Sequence, residues 1–168
     1  MTTIISLLGV TIALIEVGFI ILKYAKETKR KRRSETIEIY NKLFSDTYAL
    51  LDNYRIITSK TLFVSEDIKN NSDIYKGVMN HLTLLESFAK GLEYGVYDYK
   101  TFVYLTPNEF FEILSSLKQF VYDERKAKSY DLLFNDFITL TDVMSLCINT
   151  KLQGKRIKFK YSKVKKAQ

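Results

Sequence analysis

The stretch IISLLGVTIALIEVGFIIL, residues 4–22, decides the fold expected of this chain, and KYAKETKRKRR, residues 23–33, follows it directly. The first stretch holds one charged residue, Glu16. As a helix it would extend about 28 Å, close to the roughly 30 Å thickness of a bilayer core. The second stretch holds seven cations, which would remain in the cytoplasm. The pattern predicts a single-pass protein of a bacterial inner (cytoplasmic) membrane, with its N-terminus outside and its C-terminus cytoplasmic.

A cleaved signal peptide fits the same stretch less well. Such peptides carry cations before a shorter apolar core and small residues at the cleavage site. Here the cations follow the core, and no such cleavage pattern occurs. We therefore expect the segment to be an uncleaved anchor.

The remainder of the chain favours helices, because it holds a single Pro and few Gly but many Leu, Ile, Phe and Tyr. We predict an all-α protein with one N-terminal transmembrane helix, followed by a cytosolic bundle of four to five helices. Its segments would be a transmembrane anchor at 1–24, a basic juxtamembrane segment at 25–35, the bundle at 36–150 and a basic tail at 151–168.

The residues that catalysis or metal binding requires are scarce. One Cys and one His exclude an internal disulfide and the usual zinc sites. No nucleophile, base and orienting group can be assigned together, and no glycine-rich phosphate loop occurs. We therefore expect a non-enzyme that uses no metal and no cofactor.

The net charge of +7 is unevenly distributed along the chain. Residues 23–33 carry a net +6 and residues 151–168 carry +8, whereas residues 34–150 carry −6. An acidic body therefore lies between two basic segments. Both basic segments would be attracted to an anionic membrane surface, by about 1 kcal/mol per cation.

Apolar residues at intervals of three and four predict the helices of the bundle. Such stripes run over residues 36–54, 74–92, 110–121 and 133–147. We predict N-caps at Asp73, Asp98 and Thr106, and a helix-terminating glycine at Gly95. EDIKNNSD, residues 66–73, is predicted to be a polar loop. No Pro or Gly separates the first stripe from the basic stretch, so one helix can continue through both.

HLTLLESFAKGLEYGVYDY, residues 81–99, resembles the central motif of an uncharacterised bacterial and phage helical-domain family, often found behind a single N-terminal transmembrane helix. The resemblance extends over residues 36–144. It implies a fold and no chemistry, and it implies a fixed corner between two helices at Gly95 to Asp98. The resemblance lies in Leu82, Leu85, Glu86, Ala89, Gly91, Gly95, Val96, Tyr97 and Asp98.

Small and polar residues form one seam along the first helix, at Ser6, Gly9, Ala13 and Glu16. Small residues let two helix backbones approach closely, and an acid inside a membrane helix is a functional hypothesis by default. The seam predicts self-association into a homo-oligomer, and a pore lined by it is a further hypothesis. The alternative is chance clustering in an anchor that stays alone.

The basic tail alternates cations with apolar and aromatic residues. This pattern is compatible with binding a nucleotide or oligonucleotide, with lying on an anionic membrane, and with a β-ribbon or a solvated tail. The candidate residues for phosphate or membrane-surface binding are Lys155, Arg156, Lys158, Lys160 and Lys163. Within the bundle, we expect His81 to be a hydrogen-bonded residue at the edge of the core, and Cys147 to be a small buried apolar residue.

These observations predict a membrane effector or sensor that self-associates through its first helix. The bundle would receive a signal and change the packing of that helix, and a pore gated in this way would resemble antiphage defence effectors. The alternative is a passive membrane-anchored adaptor that recruits a cytosolic protein partner.

Overall fold

The structure, a computed structural model, describes the backbone of residues 2–152 and the side chains of residues 15–146. Within these limits the chain is all-helical, with short connections between the helices. The helices are α1 (Thr2–Thr58), α2 (Ser65–Asn70), α3 (Ser72–Glu93), α4 (Tyr99–Leu105), α5 (Asn108–Lys128) and α6 (Asn135–Leu152).

Helix α1 is a single helix of 57 residues, about 85 Å long. The predicted continuation of the helix through the basic stretch is therefore confirmed. Only its C-terminal part enters the bundle, where the buried side chains recur every three or four residues. They are Thr36, Tyr40, Leu43, Thr47, Leu51 and Tyr54.

The predicted transmembrane helix is wrong. None of the helices in the described part of the chain combines the length and the apolar character that crossing a membrane requires. Helix α1 becomes strongly charged from Lys23 onward. The predicted single-pass localisation in the inner membrane and the predicted ion channel both depended on this segment, so they are wrong as well.

Helix α3 is the central element of the bundle and packs against α1, α2 and α6, while α5 packs against α6 and α2. Its amphipathic sequence explains this position, because the predicted stripe from Ile74 to Leu92 is buried throughout. At one end of the bundle, aromatic rings join α1, α4 and α5. They are Tyr40, Phe44, Phe102 and Phe110, with ring centroids 5.1–6.0 Å apart.

The segment 66–73, predicted as a polar loop, instead holds most of the short helix α2 and the first two residues of α3. Helix α2 forms because Ile68, the one large apolar residue in the segment, is fully buried. The predicted N-cap of α3 is also displaced. Asn71 rather than Asp73 caps the helix, and its Oδ1 accepts hydrogen bonds from the N–H groups of Asp73 and Ile74, each at 3.1 Å.

The start of α5 differs from the predicted N-cap as well. The helix begins at Asn108 after Pro107, and no side chain caps it. The hydroxyl of Thr106 instead donates to the carbonyl oxygen of Phe102 at 2.9 Å. Thr106 is therefore the C-cap residue of α4 rather than the N-cap of α5.

Candidate functional site

The segment after α3 forms a tight corner that the sequence motif at 91–98 specifies. Gly95 adopts a φ of 70°, which a residue without Cβ accepts at little cost. The N–H of Val96 donates to the carbonyl of Gly91 at 2.9 Å, and that of Gly95 to the carbonyl of Leu92 at 3.3 Å. This is a Schellman motif. The predicted terminating glycine and the implied corner are confirmed.

Tyr97 holds the corner against α3. A Cβ on Gly91 would lie 2.5 Å from Cε2 of the Tyr97 ring, so the ring packs directly on the helix backbone. The same ring lies 5.1 Å, centroid to centroid, from the buried Phe88. Glycine at position 91 is therefore required by contact with Tyr97, not by backbone conformation.

Asp98 connects the corner to α1 and starts α4. Its Oδ1 accepts from the N–H and the hydroxyl of Thr101, each at 2.8 Å, which confirms the predicted N-cap. Its own N–H donates to Oγ1 of Thr36 at 2.7 Å. That hydroxyl donates to the carbonyl of Arg32 at 2.6 Å. Thr36 is the first buried residue of α1 among those described, so the corner binds α1 where it leaves the bundle.

An open groove of about 600 Å³ lies beside this junction. Two carboxylates and one ammonium group face it from α1, and the corner contributes an aliphatic and an aromatic side chain. The groove therefore offers charge and apolar surface together. Its lining residues are Glu35, Glu38, Ile39, Lys42, Val96 and Tyr97.

Beyond the bundle, α1 projects with its apolar side chains exposed. Seven large apolar residues in this part are between 52% and 72% exposed. They occupy all sides of the helix, since several are consecutive in sequence. We call them the projecting segment; they are Ile15, Val17, Phe19, Ile20, Ile21, Leu22 and Tyr24.

His81 lies at the α1–α3 contact, as predicted for a hydrogen-bonded residue at the edge of the core. Its Nε2 lies 2.7 Å from Oγ1 of Thr47. Because the Thr47 hydroxyl donates to the carbonyl of Leu43 at 2.6 Å, the Nε2–H group of His81 donates to Thr47. Burial lowers the pKa of His81, and Asp46 partly opposes this effect. The ring is therefore neutral near pH 7.

Sequence reasoning missed a buried carboxylate on α5. Glu124 is 4% exposed; its Oε2 accepts from the Tyr75 hydroxyl at 2.8 Å and lies 2.8 Å from Nζ of Lys128. Lys69 approaches Oε1 at 3.4 Å. Burial acts to raise the pKa of Glu124, but the hydrogen bonds from Lys128 and Tyr75 outweigh it and lower the pKa. The sequence did offer one signal for its burial, because Glu124 continues the apolar stripe of α5 after Phe120 and Val121.

Sequence reasoning also missed a cap supplied from another helix. The carboxylate of Glu86, on α3, accepts from the N–H groups of Asp136 at 3.1 Å and Phe137 at 2.7 Å. It thus satisfies two of the backbone donors at the start of α6. The residue belongs to the motif noted in the sequence, but no local pattern identifies its partner.

Of the residues predicted as functional sites, Glu16 is the one whose side chain lies in the described part of the chain. Glu16 is exposed on α1. Ser6, Gly9 and Ala13 fall outside the part of the chain whose side chains are described, as do Cys147 and the whole candidate set in the tail: Lys155, Arg156, Lys158, Lys160 and Lys163. In residues 15–146, no three His, Cys, Asp or Glu side chains are grouped as a metal site would require.

The described residues define a small helical module with a surface groove at the root of one long helix. The family described as "Domain of unknown function (DUF4760)" matches residues 3–143, and the chain belongs to it. This agrees with the uncharacterised helical family that the motif resembles; the match says nothing about a transmembrane context. No curated protein and no solved structure matches the chain.

Proposed function

We propose that the protein is a non-enzymatic effector or sensor whose bundle receives a signal and whose projecting segment responds by changing its association with other copies. The observation that carries this proposal is the continuity of α1. One uninterrupted helix joins the buried residues of the bundle to the exposed apolar residues outside it. A change in how the bundle holds α1 therefore moves the projecting segment as a rigid extension.

The exposed side chains of the projecting segment support self-association. Contiguous apolar surface of this kind marks an interaction site, and burial contributes roughly 1.5–3 kcal/mol for each large side chain. A second copy supplies a matching apolar surface, and homo-oligomers are the commonest assemblies. The net +6 charge that follows at residues 23–33 repels a parallel neighbour, so the association is balanced and open to control.

The groove at the root of α1 supports the receiving role. A molecule bound there would contact Glu35 and Glu38 on α1 and Tyr97 on the corner at once. The same corner is bound to α1 through Asp98 and Thr36. Occupancy of the groove would therefore change the geometry at the point where α1 leaves the bundle.

Light scattering coupled to size-exclusion chromatography of the full chain tests the proposal. We expect a concentration-dependent oligomer that Ile20→Lys converts to monomer. Ile56→Lys is the matched control, because Ile56 is also an exposed isoleucine of α1, 81% exposed against 67% for Ile20, but lies at the opposite end. A wild-type chain that stays monomeric at every concentration would refute self-association.

A cysteine scan gives the geometry of the interface. Single cysteines placed along the projecting segment, in a Cys147→Ser background, should form disulfide dimers with a helical period. A flat profile along the segment would indicate non-specific clustering and would contradict a defined helix pair.

A passive adaptor is the second candidate, favoured by exposed tyrosines around the corner. Tyr94 and Tyr104 are 72% and 83% exposed, and Val96 is 50% exposed. Tyrosine is enriched at the centres of protein interfaces. An adaptor would bind its protein partner through this surface without any change in its own oligomeric state, whereas a sensor would change that state on binding.

A further inference from the structure

Five cations of α1 lie on one face of the helix, between the projecting segment and the bundle. At 100° per residue they fall within an arc of about 120°, and all five are exposed. We call this set the basic face. It comprises Lys23, Lys26, Lys29, Arg30 and Arg33.

Among the described residues, none of the five cations of the basic face is in an ion pair with an acid. The ion pairs within α1 join Lys31 to Glu35, at 3.9 Å, and, at the far end of the helix, Arg55 to Asp52, at 3.4 Å. Lys26 and Arg30, like Lys29 and Arg33, are four residues apart, a spacing at which like charges destabilise a helix. The helix thus holds a repulsive arrangement that a bound polyanion would relieve.

The spacing of the charge matches that of a nucleic acid backbone. The five cations of the basic face occupy about 15 Å of helix, or one for about every 3 Å. Each strand of duplex DNA carries one negative charge for about every 3.4 Å of its axis. A helix about 10–12 Å in diameter also fits a major groove that is about 12 Å wide.

We propose that the basic face binds the phosphate backbone of nucleic acid. The face holds only Lys and Arg and no Asn or Gln, so binding depends on phosphates rather than on base sequence. The basic face and the apolar residues of the projecting segment are different residues of α1, so a variant of one set leaves the side chains of the other set intact. A variant that loses DNA binding can therefore still be tested for self-association, and a variant that loses self-association can still be tested for DNA binding.

The experiment is fluorescence anisotropy of a labelled DNA duplex of about 20 base pairs with the full chain, at salt concentrations from about 50 to about 200 mM. Five phosphate contacts give a slope of about −4.5 in log affinity against log salt. The double variant Lys26→Gln/Arg30→Gln should make the slope less steep by about 1.8 and should weaken binding at low salt by at least about tenfold.

A matched control removes the same charge elsewhere. Lys90→Gln/Lys126→Gln changes two exposed lysines of the bundle and should leave both slope and affinity as in the unmodified chain. Equal weakening in both double variants would mean that net charge alone is responsible, and would overturn the proposal. Unchanged binding in the basic-face variant would assign binding to another segment and overturn it equally.

Anionic vesicles containing phosphatidylserine are the competing arm. If the chain binds them through the basic face but binds no duplex at low salt, the face is a lipid headgroup site and the proposal is wrong. Circular dichroism of each variant ensures that a loss of binding is not a loss of helix, and Gln retains good helix propensity.

Discussion

The ring of Tyr97 occupies the space that a side chain at Gly91 would need, with Cε2 only 2.5 Å from a Cβ built there. Gly91 lies inside α3, where glycine is otherwise unfavourable by about 1 kcal/mol relative to alanine. The contact with Tyr97 explains why glycine occupies position 91 despite its lower helix propensity. It lets Tyr97 pack on the helix backbone and so determines how the corner meets α1.

We expect Gly91→Ala to destabilise the protein. Crowding costs about 1–3 kcal/mol and outweighs the gain in helix propensity. Urea unfolding measures the change. Gly18→Ala is the matched control, because no atom lies within 4 Å of a Cβ at that helical glycine, and it should be neutral or slightly stabilising. If Tyr97 is the cause, Gly91→Ala should become harmless in a Tyr97→Ala background.

Stability should fall in mild acid because of His81. Its pKa is lowered in the folded state by burial, so the unfolded chain binds more protons below its own pKa of about 6.5. The contribution is present above about pH 6.5 and is lost as the pH falls toward the folded-state pKa. His81→Gln keeps a donor for Thr47 and should remove this dependence below about pH 6.5. An unchanged pH profile would contradict the assignment.

Glu124→Gln should destabilise the protein by weakening the contacts of this side chain with Lys128 on α5 and with Lys69 on α2. The substitution removes the charge that binds Lys128 and Lys69 while it leaves the volume nearly unchanged. Hydrogen bonds to a charged group contribute about 1.5–3 kcal/mol, and we expect a loss toward the lower end because both lysines are partly exposed. Glu112→Gln, on the exposed face of the same helix, should have almost no effect. Equal stabilities of the two variants would show that the buried network contributes little.

Glu86→Ala should loosen the start of α6. Two backbone donors lose their acceptor, and loss of a cap of this kind costs about 1 kcal/mol. Hydrogen exchange is the sharper measurement, because the amides of Asp136 and Phe137 should exchange faster while the middle of α3 stays protected. Uniform acceleration throughout the bundle would indicate a global effect rather than a lost cap.

The helical stripes of the bundle could be predicted because each helix carries its own apolar pattern. The residues from Ile74 to Leu92 repeat at helical spacing whatever lies opposite them, and all of the predicted stripe is buried. The corner was predictable for the same reason. The hydrogen bonds that form the Schellman turn at Gly95 and the cap at Asp98 join residues at most five positions apart. Local sequence was therefore enough to predict both.

The N-terminal stretch shows where local pattern was insufficient. A run of apolar residues predicts apolar surroundings, but it does not specify where the helix ends or what surrounds it. The structure continues the same helix through Lys23 and Arg33 into the bundle. What the run alone suggested as a separate anchor is one part of α1, and none of the helices in the described part of the chain is long and apolar enough to cross a bilayer.

By itself, then, the sequence determined the helical class, the burial stripes and the turn after α3, because periodicity and turn chemistry act over a few neighbouring residues. Only the tertiary structure decided which distant groups meet. Glu86 caps a helix that starts about 50 residues later, Glu124 binds a tyrosine on α3, and Asp98 binds Thr36 of α1. Such pairings depend on how whole helices cross, and the free energy that selects them comes from packing summed over the bundle rather than from any local segment.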